Sequence, residues 1–340
     1  MNKNIVSLGE FGLIEHITHN FTVQNPSTVH GPGDDAAVID AGEKYLLVST
    51  DLLLEGIHFD LTYTPFAHLG YKVVVVGISD IYAMNGCPQQ VTVSVGLSAK
   101  LDLPQVEEFY RGVRMACEQY GVDLAGGDTS SSLTGFSISV TAVGKVGKDK
   151  ITYRSGAQIN DLICVTGNLG AAYMGLQLLE REKRALAGVA DPKPRFEGYS
   201  YILQRQLKPE AQAGLIESLA ENGIVPTAMI DISDGLASEM LHICKASGCG
   251  ARIYLDKLPI AHETYAMAEE LHADPVVAAL NGGDDYEMLF IVPLAMREKL
   301  TNVSGIDLIG HITKEGTGAA LVTPDGEEIA LQAPGWKNEE

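Results

Sequence analysis

The residues best equipped for chemistry in this chain are aspartates, and they recur in one local setting. GPGDDAAVI places Asp34 and Asp35 between a glycine turn and an apolar run, and LLVSTD ends on Asp51. The same pattern sets Asp80 at the end of VVVVGISD, Asp128 in VDLAGGD, Asp231 and Asp234 in AMIDISDG, and Asp284, Asp285 and Glu287 in NGGDDYEMLFIV. An acid at one strand end is ordinarily a turn residue or a helix cap. Asp34, Asp234 and Asp285 are open to that reading, and Ser233 to capping a helix that starts near Gly235. Six apolar runs that each meet an aspartate suggest instead one convergent acidic site.

Oxygen-only ligands suit Mg2+ or Ca2+, whereas His and Cys clusters suit zinc. If Asp35, Asp51, Asp80, Asp128 and Asp231 converge, each pair at about 4 Å repels by about 4 kcal/mol at an effective dielectric near 20. Several divalent ions must then be bound, and Mg2+ held by a few carboxylates gathers phosphates. Glycines beside the acids let phosphate approach backbone N–H groups. No EF-hand loop, Walker A loop, kinase HRD or DFG signature, or dinucleotide-type GxGxxG is present. Phosphoryl transfer would therefore rest on metals, with Arg154 in TYRSG either a cationic clamp or one half of a surface salt bridge. Other single residues have ordinary readings as well. His58 in EGIHFD suits a loop, Tyr110 lies on a helical stripe with Val106 and Val113, and Trp336 is a lone indole that would stack on a flat cationic ring if exposed.

The elements that must position these acids follow from periodicity. Residues 8–20 predict a short amphipathic helix, and AAVID and KYLLVSTD predict strands. Residues 66–86 are apolar on nearly every face. Four valines favour a strand there, but length favours a buried helix stopped by Asn85-Gly86, which makes Asp80 an acid in need of a cation partner. QVTVSVGLS, VDLAGGD and FSISVTAVGKV predict strands, and residues 103–121 a helix, giving an α+β domain over 1–148. A second domain, 149–340, begins with strand, glycine turn and helix in NDLICVTGNLGAAYMGLQLL. It continues through a loop at 181–198, a helix in PEAQAGLIESLAENG, a turn and helix in IDISDGLASEMLHICKASGCG, and a strand in ARIYLDKL.

Composition narrows the function classes. With 44 acidic and 24 basic residues the net charge is -20, which disfavours nonspecific binding to nucleic acid or anionic lipid. The five cysteines lack a CxxC pair, which argues against a disulfide framework or zinc ribbon and for a reducing cytoplasm. The N-terminal residues do not form an apolar signal region, and no run of about 18 apolar residues occurs.

The stretches GPGDDAAVI, VSTDLLLEGIHF, GYKVVVVGISDIYAMNG, LAGGDTS, TYRSGA, DISDGLASE and NGGDDYEM, in this order from residue 31 to 287, resemble the thiamine-monophosphate kinase family of the aminoimidazole ribonucleotide synthetase-like superfamily. The resemblance implies ATP-dependent conversion of thiamine monophosphate to thiamine diphosphate, the last step of thiamine diphosphate biosynthesis, by direct in-line transfer with several Mg2+ ions. It implies metal binding at Asp35, Ser49, Thr50, Asp51, Asp80, Asp128, Asp231 and Asp234, with Asp51, Asp80 and Asp128 carrying the metal-assisted chemistry and no discrete base. It also implies ATP contacts at Tyr110, Gly127, Asp128, Arg154 and Ser233, and acceptor contacts at His58, Asp284 and Trp336. Asp284 stands where the family also uses Glu, and the tail, GWKNEE, departs from the family's aromatic, acid, His, Phe ending. The implied fold is an α+β N-terminal domain that pairs with its twin in a homodimer, followed by an α/β C-terminal domain. Within the superfamily, a hydrogenase-maturation protein would carry a C-terminal cysteine and a selenophosphate-type enzyme a reactive cysteine or selenocysteine near the N-terminus, and neither is present. A cation-binding regulatory protein without catalysis is the reading from another class.

Overall fold

The apolar segment that begins at residue 66 is a helix, and both halves of the molecule are built on it. The computed structural model describes residues 9–189 and 193–333. The first half runs α1 (Gly9–Thr18), β1 (Thr28–His30), β2 (Ala37–Asp40), β3 (Lys44–Leu54), α2 (Phe66–Ala83), β4 (Cys87–Ser98), α3 (Leu103–Tyr120), β5 (Asp123–Gly126), β6 (Thr129–Ser132) and β7 (Ser137–Gly147). Its sheet has the order β1-β2-β3-β7-β4-β5, with β6 also on β4, and is antiparallel except where β5 and β6 join β4.

In α2 every residue from 69 to 83 is buried except Asp80, which is half-buried. Helix propensity costs each of Val73, Val74, Val75 and Val76 at most about 0.7 kcal/mol, whereas burying a valine side chain returns about 1.5–3 kcal/mol. Burial wins because α2 packs on β3, β4 and β7 on one side and on the sheet of the second half, at β9 (Ala228–Ile232), on the other. The partner helix α3 approaches so closely that a Cβ on Gly112 would fall 1.9 Å from the Ala67 carbonyl oxygen. The stop of α2 differs from expectation. Asn85 takes the left-handed turn at φ 58, while Gly86 is needed because a Cβ there would lie 2.9 Å from the Ile81 carbonyl oxygen.

The second half adds β8 (Leu162–Thr166), α4 (Ala171–Ala185), α5 (Ser200–Leu207), α6 (Ala213–Glu221), then β9, α7 (Leu236–Ser247), β10 (Gly250–Tyr254), α8 (His262–Leu271), α9 (Pro275–Asn281), β11 (Glu287–Val292), α10 (Arg297–Leu300), β12 (Ile306–Thr313), β13 (Ala319–Val322) and β14 (Glu328–Ala330). Its mixed sheet, β14-β13-β10-β12-β8-β11-β9, has β10 and β13 as its parallel pair. The architecture is thus two mixed sheets with helices, one per half. One hydrophobic core runs from Val38, Leu47 and Val140 of the first sheet through α2 to Met229, Met288 and Phe290 of the second.

Several local expectations are corrected. Strand β1 carries no sequence signal of its own and exists by pairing with β2. VDLAGGD is not one strand but breaks into β5 and β6 around Gly127-Asp128, because Gly127 presses against β4, where a Cβ would meet the Val93 carbonyl oxygen at 1.9 Å. The loop expected at 181–198 begins later, since α4 continues to Ala185.

Candidate active site

Four of the acids converge where the two sheets meet across α2. Asp35 precedes β2, Asp51 lies on β3, Asp80 on α2 and Asp231 on β9. Carboxylate oxygens of Asp35, Asp80 and Asp231 lie within 4.8 Å of one another. Ser79, one residue before Asp80, donates its hydroxyl to Asp231 Oδ2 at 2.6 Å and so ties α2 to the second sheet. Arg154, in the connection between β7 and β8, donates Nη2 and Nε to Asp35 Oδ1 at 2.7 and 3.2 Å. Its own backbone N–H is held by the Asp34 carboxylate at 3.2 Å. Asp34 therefore shapes the turn and positions Arg154, and the Arg154–Asp35 pair is a buried one rather than a surface salt bridge.

The electrostatics of this cluster favour either proton uptake or a bound cation. Burial and then Asp51, Asp231 and Asp35 push Asp80 well above the usual carboxylate range. Burial, with Asp35 next, pushes Asp231 up to about 7, and burial pushes Asp51 up to about 6. Among the described residues no lysine or arginine pairs directly with Asp80: Arg154 is hydrogen-bonded to Asp35 and favours the Asp80 carboxylate only through space, against the larger effects of burial and the neighbouring acids. Asp35 Oδ2 and Asp51 Oδ2 are buried without a hydrogen-bond partner. Orphaned carboxylate oxygens, an all-oxygen donor set and close like charges fit Mg2+, which takes few carboxylates and completes its shell with water and substrate oxygens.

A second feature lies along the same helix. A cavity of about 470 Å³ is lined by His58, Tyr63, Lys72, Glu180, Gln206 and Asp284, among others. His58 Nδ1 accepts the Leu54 N–H at 3.0 Å. Burial lowers its pKa, so the ring is neutral near pH 7 with its proton on Nε2. Asp284 follows Gly283 at a backbone corner where Asp284 and Tyr286 have φ of 59 and 51. This conformation is costly outside glycine and is held by the Asp284 and Tyr286 N–H groups on Ser233 and Ile232 carbonyls at 2.7 and 2.9 Å. Burial alone would raise the Asp284 carboxyl, but Lys72 and the donors around it hold it below the ordinary range.

The AIR synthase related protein N-terminal domain family matches residues 33–146, and the corresponding C-terminal domain family matches 159–335. Thiamine-monophosphate kinase of Aquifex aeolicus is 34% identical over 332 residues, covering 97% of this chain and 98% of the relative. The belonging is settled by this near full-length match. The chain belongs to the thiamine-monophosphate kinase family. The family's Escherichia coli K12 member is 33% identical over 97% of this chain and 98% of its own. A solved structure described as AaThiL complexed with AMPPCP and TMP is 33% identical, has a TM-score of 0.84 and covers 100% of both chains. The hydrogenase maturation protein HypE in complex with ATP, 18% identical with a TM-score of 0.70 over 98% of both chains, shares the fold.

The positions that the thiamine-monophosphate kinase resemblance singles out fall into distinct places. Ser49 is buried with its hydroxyl on the Gly77 carbonyl at 3.0 Å, whereas Thr50 is exposed on the opposite sheet face and bonds the Val140 carbonyl. Tyr110, Gly127 and Asp128 line one open cavity of about 320 Å³, and Asp128 is exposed there, apart from the Asp35, Asp80 and Asp231 group. Asp234 is exposed next to β9. Ser233 does not cap α7, whose N-cap is Gly235 without a side-chain bond. Glu239 instead gathers the Ser233 and Asp234 N–H groups at 3.1 and 2.7 Å. Asp285 does act at a helix start, accepting the Gly170 N–H at 2.7 Å ahead of α4. His58 and Asp284 share the cavity described above, and Trp336 lies outside the described residues. Lys72, Ser79 and Glu239 were missed from sequence. Lys72 and Ser79 announce themselves only as polar interruptions in an apolar helix, and Glu239 only as an acid in the first turn of α7.

Proposed function

We propose that the chain transfers the γ-phosphoryl group of ATP to the phosphate of thiamine monophosphate, giving thiamine diphosphate and ADP. The observation that carries this reading is a carboxylate cluster with orphaned oxygens set on the same helix as a polar cavity, with Asp80 and Lys72 about 12 Å apart along α2 at 1.5 Å per residue. A relative of 33% identity described as complexed with AMPPCP and TMP supports donor and acceptor of these classes.

Asp35, Asp51, Asp80 and Asp231 would hold Mg2+, with Asp128 and Asp234 contributing from the rim, and the ions supply charge neutralisation for the two polyanionic phosphates. The acceptor oxygen needs no strong base, because a phosphate monoester's second pKa is about 6 and it is already largely anionic at neutral pH. The O–Pγ bond to the acceptor forms as the Pγ–O bond to ADP breaks, and the electron pair leaves with ADP. The protein's part is alignment. His58 Nε2–H and Asp284 hold the acceptor ring, Arg154 faces the phosphates from its anchored position on Asp34 and Asp35, and the cavity beside Tyr110, Gly127 and Asp128 takes the nucleotide. Ser49, Thr50, Ser233 and Trp336 are assigned to the same site by the family resemblance.

A homodimer built on the first domain, 1–148, fits the open face of its sheet, where Thr50 and Leu52 are exposed and Ser94, Ser139 and Thr141 half-buried. Residues 149–340 complete the acceptor cavity. No helix among the described residues is long and apolar enough to cross a membrane, and the unpaired cysteines favour a cytoplasmic setting. The deciding experiment incubates the protein with ATP, Mg2+ and thiamine monophosphate and scores thiamine diphosphate and ADP. Absence of product at every Mg2+ concentration sinks the assignment.

A further inference from the structure

Lys72 is a buried lysine in an apolar helix, and nothing in the phosphoryl transfer itself requires it. Its side chain is 5% exposed, and its ammonium donates to Asp284 Oδ2 at 2.9 Å and to the Gln206 carbonyl at 3.2 Å. Asp284 receives two more donors, Gln206 Nε2 on Oδ2 at 3.2 Å and the Tyr286 hydroxyl on Oδ1 at 2.9 Å. A carboxylate has about four acceptor sites, so these three donors leave one, on Oδ1. The Asp284 side chain is still 34% exposed, and the residue lines the cavity. An acid facing a substrate cavity is ordinarily read as a receptor for positive charge. Here the protein's own lysine already occupies that charge. Beside Lys72 the cavity retains one hydrogen-bond acceptor on Asp284 and, from His58 with its Nδ1 engaged by Leu54, one N–H donor on Nε2, while Gln206 Oε1 is buried without a partner and Asp60 and Glu180 share Lys183 elsewhere on the wall.

We propose that Lys72 is a specificity-determining positioning residue: by neutralising Asp284 and fixing its Oδ2, it makes Asp284 together with His58 select a heterocycle bearing an amino donor beside a ring acceptor, so that Asp284 does not serve as the receptor for a positive charge. The inference rests on the acceptor assignment above. It differs from direct cation recognition in the sign of one effect. Were Asp284 the receptor for a cation, removing Lys72 would release its charge and tighten the acceptor. If Lys72 instead holds the acceptor atom in place, removing it leaves a carboxyl that turns or takes a proton, and the acceptor binds more weakly.

The test measures steady-state constants and melting temperatures for wild type, Lys72→Met, Lys72→Arg, Asp284→Asn and the Lys72→Met/Asp284→Asn pair, with ATP, Mg2+ and thiamine monophosphate. Lys72→Met is expected to raise the acceptor KM at least tenfold with the ATP KM within twofold, and Lys72→Arg to stay within about threefold of wild type. The double variant is expected to match Asp284→Asn alone, because a neutral amide needs no counter-charge. An acceptor KM that is unchanged or lower in Lys72→Met overturns the proposal, as does a parallel rise in both KM values with a lowered Tm and no recovery in the double variant. If Lys72→Met does not fold, wild type decides by itself. Replacing the acceptor's ring amine by an oxo group should lower kcat/KM at least tenfold, and equal use of both acceptors overturns the inference. Wild-type turnover is recorded first, so that loss of the functional assignment and loss of this inference are separate results.

Discussion

Asp80→Asn should stabilise the metal-free protein while disabling it. The substitution keeps the size of the side chain and removes one of three charges whose oxygens lie within 4.8 Å of one another. At that spacing and an effective dielectric near 20, each fully ionised pair costs about 3.5 kcal/mol, so Asp80 with Asp35 and Asp231 amounts to about 7 kcal/mol before any relief, with Asp51 adding to it. Proton uptake and Arg154 relieve part of this. Asp231 alone is raised from 3.8 to about 7, a penalty of about 4 kcal/mol at 1.36 kcal/mol per unit. The expected gain is therefore roughly 2–4 kcal/mol, a rise of roughly 3–6 °C in Tm for a chain this long. In wild type, Mg2+ at a hundred times its Kd adds about 2.7 kcal/mol, and the variant should lose most of that increment together with turnover. Differential scanning calorimetry in EDTA and across a Mg2+ titration reads both effects. A variant that melts below wild type in EDTA and keeps the full Mg2+ shift would refute the clustering of these carboxylates around a cation.

The same groups fix the pH dependence of the metal-free protein. Asp231 and Asp51 are raised from 3.8 to about 7 and about 6, so the folded chain binds more protons than the unfolded one between roughly pH 4 and 7, and stability falls as pH rises through that window. Saturating Mg2+ should flatten the slope, and an identical slope with and without Mg2+ counts against the site. Arg154→Met leaves Asp35 buried and unpaired and should cost about 3–5 kcal/mol in denaturant unfolding, with Arg154→Lys intermediate; a loss below 1 kcal/mol would mean the pair is not desolvated. Gly112→Ala drives a methyl to within 1.9 Å of the Ala67 carbonyl oxygen and should cost about 1–3 kcal/mol or more by separating α2 from α3. An unchanged Tm would show that the helices are not in backbone contact.

Much of the site was legible locally. Each aspartate follows or interrupts an apolar run, so the acidic theme and the absence of a nucleotide loop follow from neighbours in sequence, although Asp51 and Asp80, expected at element ends, lie within β3 and α2. The helical nature of residues 66–86 followed from length against propensity, because only a helix buried on both sides accommodates so long an apolar run. The family resemblance added the assignment of donor and acceptor, which composition and periodicity do not contain.

What the tertiary structure decided is which side chains meet. Ser79 reaches Asp231 across 152 residues, Arg154 reaches Asp35 across 119, and Lys72 reaches Asp284 across 212. No local pattern encodes such pairs, since hydrogen bonds and ion pairs depend on angstrom-scale distances that only the packing of α2 between two sheets creates. The sequence by itself determined that this chain carries acids in or beside apolar runs, with no nucleotide loop among them. Folding determined that four of them share a site, that Arg154 hydrogen-bonds Asp35, and that Asp284 meets a lysine before it meets any substrate, because a buried charge must be compensated by whatever partner the fold brings within reach.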